Sequence, residues 1–257
     1  VFIRNERSIK EFMKLYPIVS TLIIIHLVLW AIIYFLQLSI GMDIYYFGVG
    51  NNFSVSIGEY WRLVTPIFLH GDLTHVLFNS FALVLFGPAL EQMLGKGKFI
   101  FAYLGAGIIG NIGTYFLEPL EYTHLGASGA IYGLFGIYIF MVLFRKHLID
   151  QNSSQMVMTI FIIGVLMSFV GGNINIVAHL TGFAGGFILA PLVLHRVEPY
   201  NPWQVAYKRS YPDNHGEIQF DPNRWNKKRI FPKKLKDNWL LIIIGILALI
   251  GLFSRFF

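Results

Sequence analysis

The sequence predicts an all-α polytopic membrane protein, a six-helix core followed by one C-terminal membrane helix, and three observations predict it. The 257 residues are 55% hydrophobic and only 13% charged, with a mean hydropathy of +0.60, whereas a soluble domain carries roughly 25% charged residues. The apolar residues fall in runs that reach or approach the ~17–25 residues a helix needs to cross a bilayer. Between those runs Lys and Arg collect on alternate loops, the asymmetry that sets membrane orientation.

Seven runs qualify. They are Ile18–Ile40, Leu73–Leu94, Phe99–Leu117, Ala127–Phe144, the short Gln155–Val170, Ile176–Leu194 and, after a polar stretch, Trp239–Phe257. The chain divides into an N-terminal cytosolic segment 1–16, a core 17–195, a linker 196–238 and the seventh helix 239–257. No small-residue cleavage site follows the first run at a workable distance, so it reads as an uncleaved signal anchor. The linker holds five of the ten prolines, Pro199, Pro202, Pro212, Pro222 and Pro232, which leave no helical or strand period. Its basic cluster, Lys227 to Lys236, is attracted to anionic headgroups.

With the N-terminus in the cytoplasm, eighteen of the twenty basic residues lie inside and only Arg62 and Arg255 outside, so the C-terminus is extracellular. The distribution of the net charge of +6 then argues for membrane topology instead of a nucleic-acid partner. The absence of cysteine removes disulfides and thiol chemistry. Together these features suit a bacterial plasma membrane.

Polar groups inside a bilayer are costly, so each asks for a reason. Gly126-Ala127-Ser128-Gly129 opens the fourth run from outside. Ser128 sits in the first helical turn, where unpaired N–H groups and partial positive charge are available to a reacting oxyanion. Tyr132 follows one turn later on the same face. His179 lies early in the sixth run, also at the outer side. Ala178, Gly182, Gly186 and Ala190 form a smooth ridge there, matched in the fourth run by Gly126 with Ala130 and Gly129 with Gly133. Ridge against ridge brings His179 toward Ser128, the geometry of a base beside a nucleophile. Small residues that only aid helix packing, and a histidine that only bonds another helix, are the plainer readings of each motif alone.

His75 and Asn79 share one face at the outer end of the second run, both hydrogen-bond donors able to complete an oxyanion hole with the Ser128 N–H. His70, just before that run, is expected to brace the outer loop. A metal site from His70, His75 and His179 is the competing reading, weakened by the scarcity of nearby carboxylates. Glu91, beside Gly95-Lys96-Gly97-Lys98 at the cytoplasmic end, is expected to brace the second loop. His26 is assigned to packing or an interhelical hydrogen bond. The outer loop 41–72 carries Tyr60, Trp61 and Arg62 and is expected at the membrane interface. No carboxylate falls near His179, so a Ser–His dyad is expected, with no third acid, and packing against Tyr132 orients the imidazole.

Taken together, Trp61-Arg62, His70, His75-Val-Leu-Phe-Asn79, Glu91 with Gly95-Lys-Gly-Lys98, Gly126-Ala-Ser128-Gly-Ala-Ile-Tyr132 and Ala178-His179-Leu-Thr-Gly182 resemble the rhomboid family over roughly residues 58–190. The C-terminal seventh run is similar to the six-plus-one arrangement of some members. The resemblance implies an intramembrane serine protease without cofactor or metal, acting on transmembrane protein substrates. It implies Ser128 as nucleophile, His179 as base and His75, Asn79 and the Ser128 N–H as oxyanion donors. Tyr132 would stack on His179 and Gly126 would flank the serine. The fifth run and the loop 171–177 look like the family's gate and cap. A non-catalytic rhomboid-like chaperone that binds clients is the alternative. A transporter is a poorer fit, because the cytoplasmic halves of the fourth and sixth runs are almost free of polar residues. The sequence leaves the oligomeric state open.

Overall fold

Helix starts along this chain are set by side chains that satisfy first-turn N–H groups. Ser8 caps α1 (Ile9–Leu15), and Pro17, whose missing N–H costs nothing at a first turn, opens α2 (Pro17–Trp30). A π-helical turn, Ala31–Phe35, ends that rod. Asn51 caps α4 (Asn52–Ser56), Asp72 caps α5 (Leu73–Leu117) and Asn175 caps α8 (Ile176–Val193). At α7 (Gln151–Val170) the Asp150 carboxylate accepts from the Ser153 N–H at 2.9 Å and from its hydroxyl at 2.6 Å. The remaining elements are α3 (Ser39–Gly48), α6 (Ser128–Phe144) and a two-residue antiparallel ladder pairing β1 (Gly50–Asn51) with β2 (Thr123–His124).

The structure, a computed structural model, describes residues 6, 8–170 and 174–201. The expected linker beyond 201, the seventh helix 239–257 and part of the loop 171–177 lie outside the described residues. Among the described residues four helices are long and apolar enough to cross a membrane: Pro17–Phe35, Leu73–Leu117, Gln151–Phe169 and Ile176–Val193. The apolar α6, Ser128–Phe144, is shorter. This is a mostly helical, multi-pass membrane protein.

Several expected boundaries are corrected. The first run ends at Phe35 instead of Ile40, because Gln37 takes a φ of 48° and turns the chain, so that Ile40 belongs to α3. The fifth run is not short: the Asp150 cap starts α7 at Gln151, four residues early. The outer loop 41–72 is more ordered than expected, since α3, α4 and two 3₁₀ turns, Tyr60–Leu63 and Thr65–Phe68, occupy much of it.

The second and third runs form one 45-residue stretch, broken in its dihedrals only at Gly95, where φ is 74° and ψ is 164°. A straight helix of that length would span about 67 Å at 1.5 Å per residue, more than twice a bilayer core. It is not straight. A Cβ placed on Gly87 would sit 3.6 Å from the Phe99 ring, a contact impossible along one rod, so the halves 73–94 and 96–117 fold back on each other. A positive φ is open to glycine at little cost, which suits Gly95 to the reversal.

The core is built where α6 and α8 press against the second half of α5. A Cβ on Gly182 would lie 2.3 Å from the Gly129 carbonyl oxygen, and one on Gly186 1.9 Å from that of Gly133. Only glycine allows backbones this close. Tyr138 donates from inside this core to the Phe86 carbonyl at 2.7 Å. One expected ridge is revised: Ala130 faces Gly107 of α5, and Gly126 precedes the helix, while Gly129, Gly133 and Gly136 meet α8.

Candidate active site

Residues 125–129 carry the chain from β2 into the first turn of α6. Gly126 has a φ of 131°, a conformation that side chains rarely adopt. Its N–H donates to the Pro66 carbonyl at 2.9 Å, and the Ala127 N–H reaches His70 Nε2 at 3.5 Å. His70, 1% exposed, therefore braces the turn that presents Ser128 as well as the loop it belongs to. Ala127 caps α6 without a side-chain hydrogen bond. Helix geometry thus leaves the N–H groups of Ser128, Gly129 and Ala130 without an intrahelical acceptor.

His75 and Asn79 lie one turn apart near the start of α5. A Cβ on Gly126 would be 2.6 Å from His75 Nε2 and 3.7 Å from Ser128 Oγ, so both groups converge on the bare Cα of Gly126. Asn79 is 7% exposed, and its Nδ2 has no hydrogen-bond partner among the described residues. A buried amide donor left unpaired costs about 1–3 kcal/mol.

His179 lies in the first turn of α8. Its ring stacks on Tyr132, with centroids 4.1 Å apart and planes 12° from parallel. Gly129 and Ala178, the chain neighbours of Ser128 and His179, approach closely: a Cβ on Gly129 would be 3.3 Å from the Ala178 oxygen. Nucleophile and base candidates therefore lie at the outer end of the seam between α6 and α8. Asn175 fixes the start of α8, accepting from the Ala178 N–H at 2.9 Å and donating to Thr114 of α5 at 2.9 Å.

The expectation that packing alone orients His179 is incomplete. Its Nδ1 is hydrogen-bonded to the Ser168 hydroxyl of α7 at 2.8 Å, and that hydroxyl also meets the Tyr132 hydroxyl at 2.9 Å. Ser168 was legible only as a polar residue within an apolar run, Met167-Ser168-Phe169, the signal that intramembrane polarity always gives.

The remaining expected residues lie away from this cluster. Arg62 is buried and donates to the Tyr46 and Val49 carbonyls at 2.9 and 2.7 Å and to Glu59; Trp61 Nε1 donates to the Phe47 carbonyl at 3.0 Å. The pair locks α3 onto the outer loop. Glu91 reaches beyond the second loop, whose Lys96 acts on its charge. Its two oxygens accept from the Ile18 and Val19 N–H groups at 2.9 and 2.8 Å, capping α2. The reason is that the orphan donors of a proline-started helix end against the first half of α5. His26 packs on His70 with centroids 4.8 Å apart, and His70 on His75 at 4.9 Å. Among the described residues no group of three His, Asp or Glu could hold a metal ion.

Residues 57–196 match the family model described as Rhomboid domain. The chain is 51% identical over 200 residues to the "Putative rhomboid protease YdcA" of Bacillus subtilis, a match covering 77% of this chain and 98% of that protein. It is 38% identical over 144 residues to the rhomboid protease GluP of Bacillus subtilis, covering 56% of this chain and 28% of the relative. Rhomboid-like protease 2 of Toxoplasma gondii is 30% identical over 142 residues, 55% of this chain and 50% of that one. The chain thus spans nearly all of the first relative and half or less of the other two. By these matches, and by a site made where two glycine-seamed helices start, the chain belongs to the rhomboid family of intramembrane proteases.

Proposed function

We propose that the protein is a serine endopeptidase that hydrolyses peptide bonds in or near the membrane-spanning segments of other membrane proteins, with Ser128 as nucleophile and His179 as base. The observation that carries this reading is the Tyr132–His179 stack, 4.1 Å between ring centroids, on the helix whose first turn contains Ser128. In the proposed reaction Ser128 Oγ attacks the scissile carbonyl. His179 Nε2 takes the hydroxyl proton and passes it to the leaving amine, and water then hydrolyses the acyl-enzyme by the reverse sequence. The Ser128 N–H, Asn79 Nδ2 and His75 hold the oxyanion. Gly126 leaves room for the substrate backbone. A peptide bond within an intact helix is shielded and its carbonyl is hydrogen-bonded, so substrates should carry helix-weakening residues near the cut.

The reading includes the six-plus-one arrangement. Its six core spans are the Pro17–Phe35 rod, the two halves of α5, α6, α7 and α8, joined through the linker 196–238 to a seventh helix at 239–257. The N-terminus is cytoplasmic and the C-terminus extracellular. Support comes from the fold-back at Gly95 beside Lys96 and Lys98, and from the eighteen basic residues that this orientation puts inside. The relatives' names, rhomboid protease among them, agree with the chemistry.

The test is cleavage of a reporter transmembrane segment in proteoliposomes. Ser128→Ala and His179→Ala should each remove nearly all turnover, on the order of 10⁶-fold for the serine by analogy with soluble serine proteases. Cleavage undiminished in Ser128→Ala sinks the assignment. Reporter binding without cleavage by the folded wild type would point instead to the client-binding alternative.

A further inference from the structure

Ser168 is 3% exposed, and its Oγ has three partners: His179 Nδ1 at 2.8 Å, the Tyr132 hydroxyl at 2.9 Å and the Gly164 carbonyl at 2.9 Å. A hydroxyl has one proton to give and two lone pairs to receive. The Gly164 carbonyl can only accept, so it takes the Ser168 proton. The other two partners must then donate, Tyr132 through its O–H and His179 through Nδ1–H. That arrangement leaves no group unsatisfied and fixes the tautomer of His179 with the Nε2 lone pair free, the form a general base needs. The opposite assignment, Ser168 donating to Nδ1, would put the proton on Nε2 and disable the base.

We infer that Ser168 is the positioning residue of the proposed dyad: it sets the tautomer and orientation of His179 in place of the carboxylate found in three-residue triads, and so ties the base to the seating of α7. This rests on the dyad reading above. A carboxylate would bring a full charge into the membrane interior, whereas a hydroxyl keeps the site neutral at rest. When His179 becomes imidazolium, Nδ1–H still faces Oγ and the bond becomes charge-assisted.

The link to α7 follows from where Ser168 sits. Phe161, Gly164 and Ser168 make one face of α7, and that face meets the site: Phe161 stacks on Phe183 at 4.7 Å, and a Cβ on Gly164 would be 3.0 Å from the Tyr132 hydroxyl. The opposite face, including Ile162, Ile163 and Leu166, is exposed. A shift of α7 away from the core would therefore break the Ser168–His179 bond while leaving the Tyr132 stack in place.

The experiment is pH-dependent reporter cleavage in proteoliposomes with Ser168→Ala, Ser168→Cys and Tyr132→Phe. The ionisable groups acting on His179 are Tyr132 of α6 and His75 of α5, both unchanged in the serine variants. Ser168→Ala should lower kcat by about 10- to 100-fold, the loss for one hydrogen bond to a charged group, with KM nearly unchanged. Losing the imidazolium's acceptor should also move the acid limb of kcat/KM down by about one pH unit, because a tenfold change in that interaction is one unit. Tyr132→Phe removes only the second donor to Ser168 Oγ and should lower kcat by less than Ser168→Ala does; an equal loss would move the positioning role from Ser168 to Tyr132. Should Ser168→Ala fail to fold, Ser168→Cys, of similar shape with a poor sulfur acceptor, carries the same expectation. A wild-type kcat and acid limb in whichever of these two serine variants folds overturns the inference. If Ser128→Ala is inactive in the same assay, the dyad stands without it.

Discussion

Two helices flank the proposed site in opposite ways. α8 meets α6 backbone to backbone through Gly182 and Gly186, with the Tyr132–His179 and Phe140–Phe187 ring contacts flanking the seam. α7 meets the site through three aromatic contacts of Phe161 and one hydroxyl, and presents Ile162, Leu166 and Phe169 outward at 50–64% exposure. Glycine seams are stiff, because dispersion contacts between backbones are lost steeply with separation. A helix held by a few side chains sits at the low end of the local-stability range. The proposed base and nucleophile thus lie on the stiff pair, and only the hydrogen-bond partner of the proposed base lies on the looser helix.

The comparison is tested most severely at Asn79. If its unpaired amide is kept for an oxyanion, Asn79→Ala should lower kcat by ~10²–10³-fold. It should leave thermal stability in detergent nearly unchanged, because no existing hydrogen bond is lost. A stability loss equal to the activity loss would instead make Asn79 a structural residue. Next comes the seam. Gly186→Leu should force α6 and α8 apart and cost about 1–3 kcal/mol in unfolding measurements. Turnover should fall by about 10²-fold, since an ångström of misplacement is enough for that.

Glu91→Ala removes the acceptor for two N–H groups of α2 and should cost about 1–2 kcal/mol of stability with catalysis unchanged in the folded fraction. A smaller effect lies in the outer loop. His124 has both ring nitrogens unpartnered among the described residues, and burial pushes its pKa down to about 4. Its folded pKa is below the unfolded value of about 6.5, so its contribution is intact above about 6.5. It is lost as pH falls toward 4, by at most about 1.4 kcal/mol per pH unit. Thermal melts of His124→Phe across that window should show a flatter pH dependence than wild type. Smallest of all, Leu166→Ala on the lipid-facing side of α7 should change stability by less than about 0.5 kcal/mol. Lipid chains solvate the site much as leucine does.

Much of this was legible in the residues. The Gly129–Gly133 and Gly182–Gly186 pairs announced a close helix contact, and Gly95-Lys96-Gly97-Lys98 between apolar runs marked the second loop. Ser128, Tyr132 and His179 were found because polar groups in apolar runs are expensive. The misses share a physical cause. Glu91 was expected to brace the second loop beside it, but the N–H groups from which its carboxylate accepts, in α2, are 72 and 73 positions away. The end of the first run at Gln37 depends on a backbone dihedral that no hydropathy pattern encodes. Ser168 is an ordinary residue until α7 is laid against His179.

Composition, periodicity and charge by themselves determined that this chain is a multi-pass helical membrane protein, and the order and spacing of its polar motifs determined the family it resembles. Those are properties of local sequence and of the solvent each segment needs. Which hydroxyl faces the imidazole, which amide is left unpaired and which carboxylate caps α2 were decided only by the tertiary structure. Hydrogen bonds act over about 3 Å, and only the packing of distant helices brings such groups within that range.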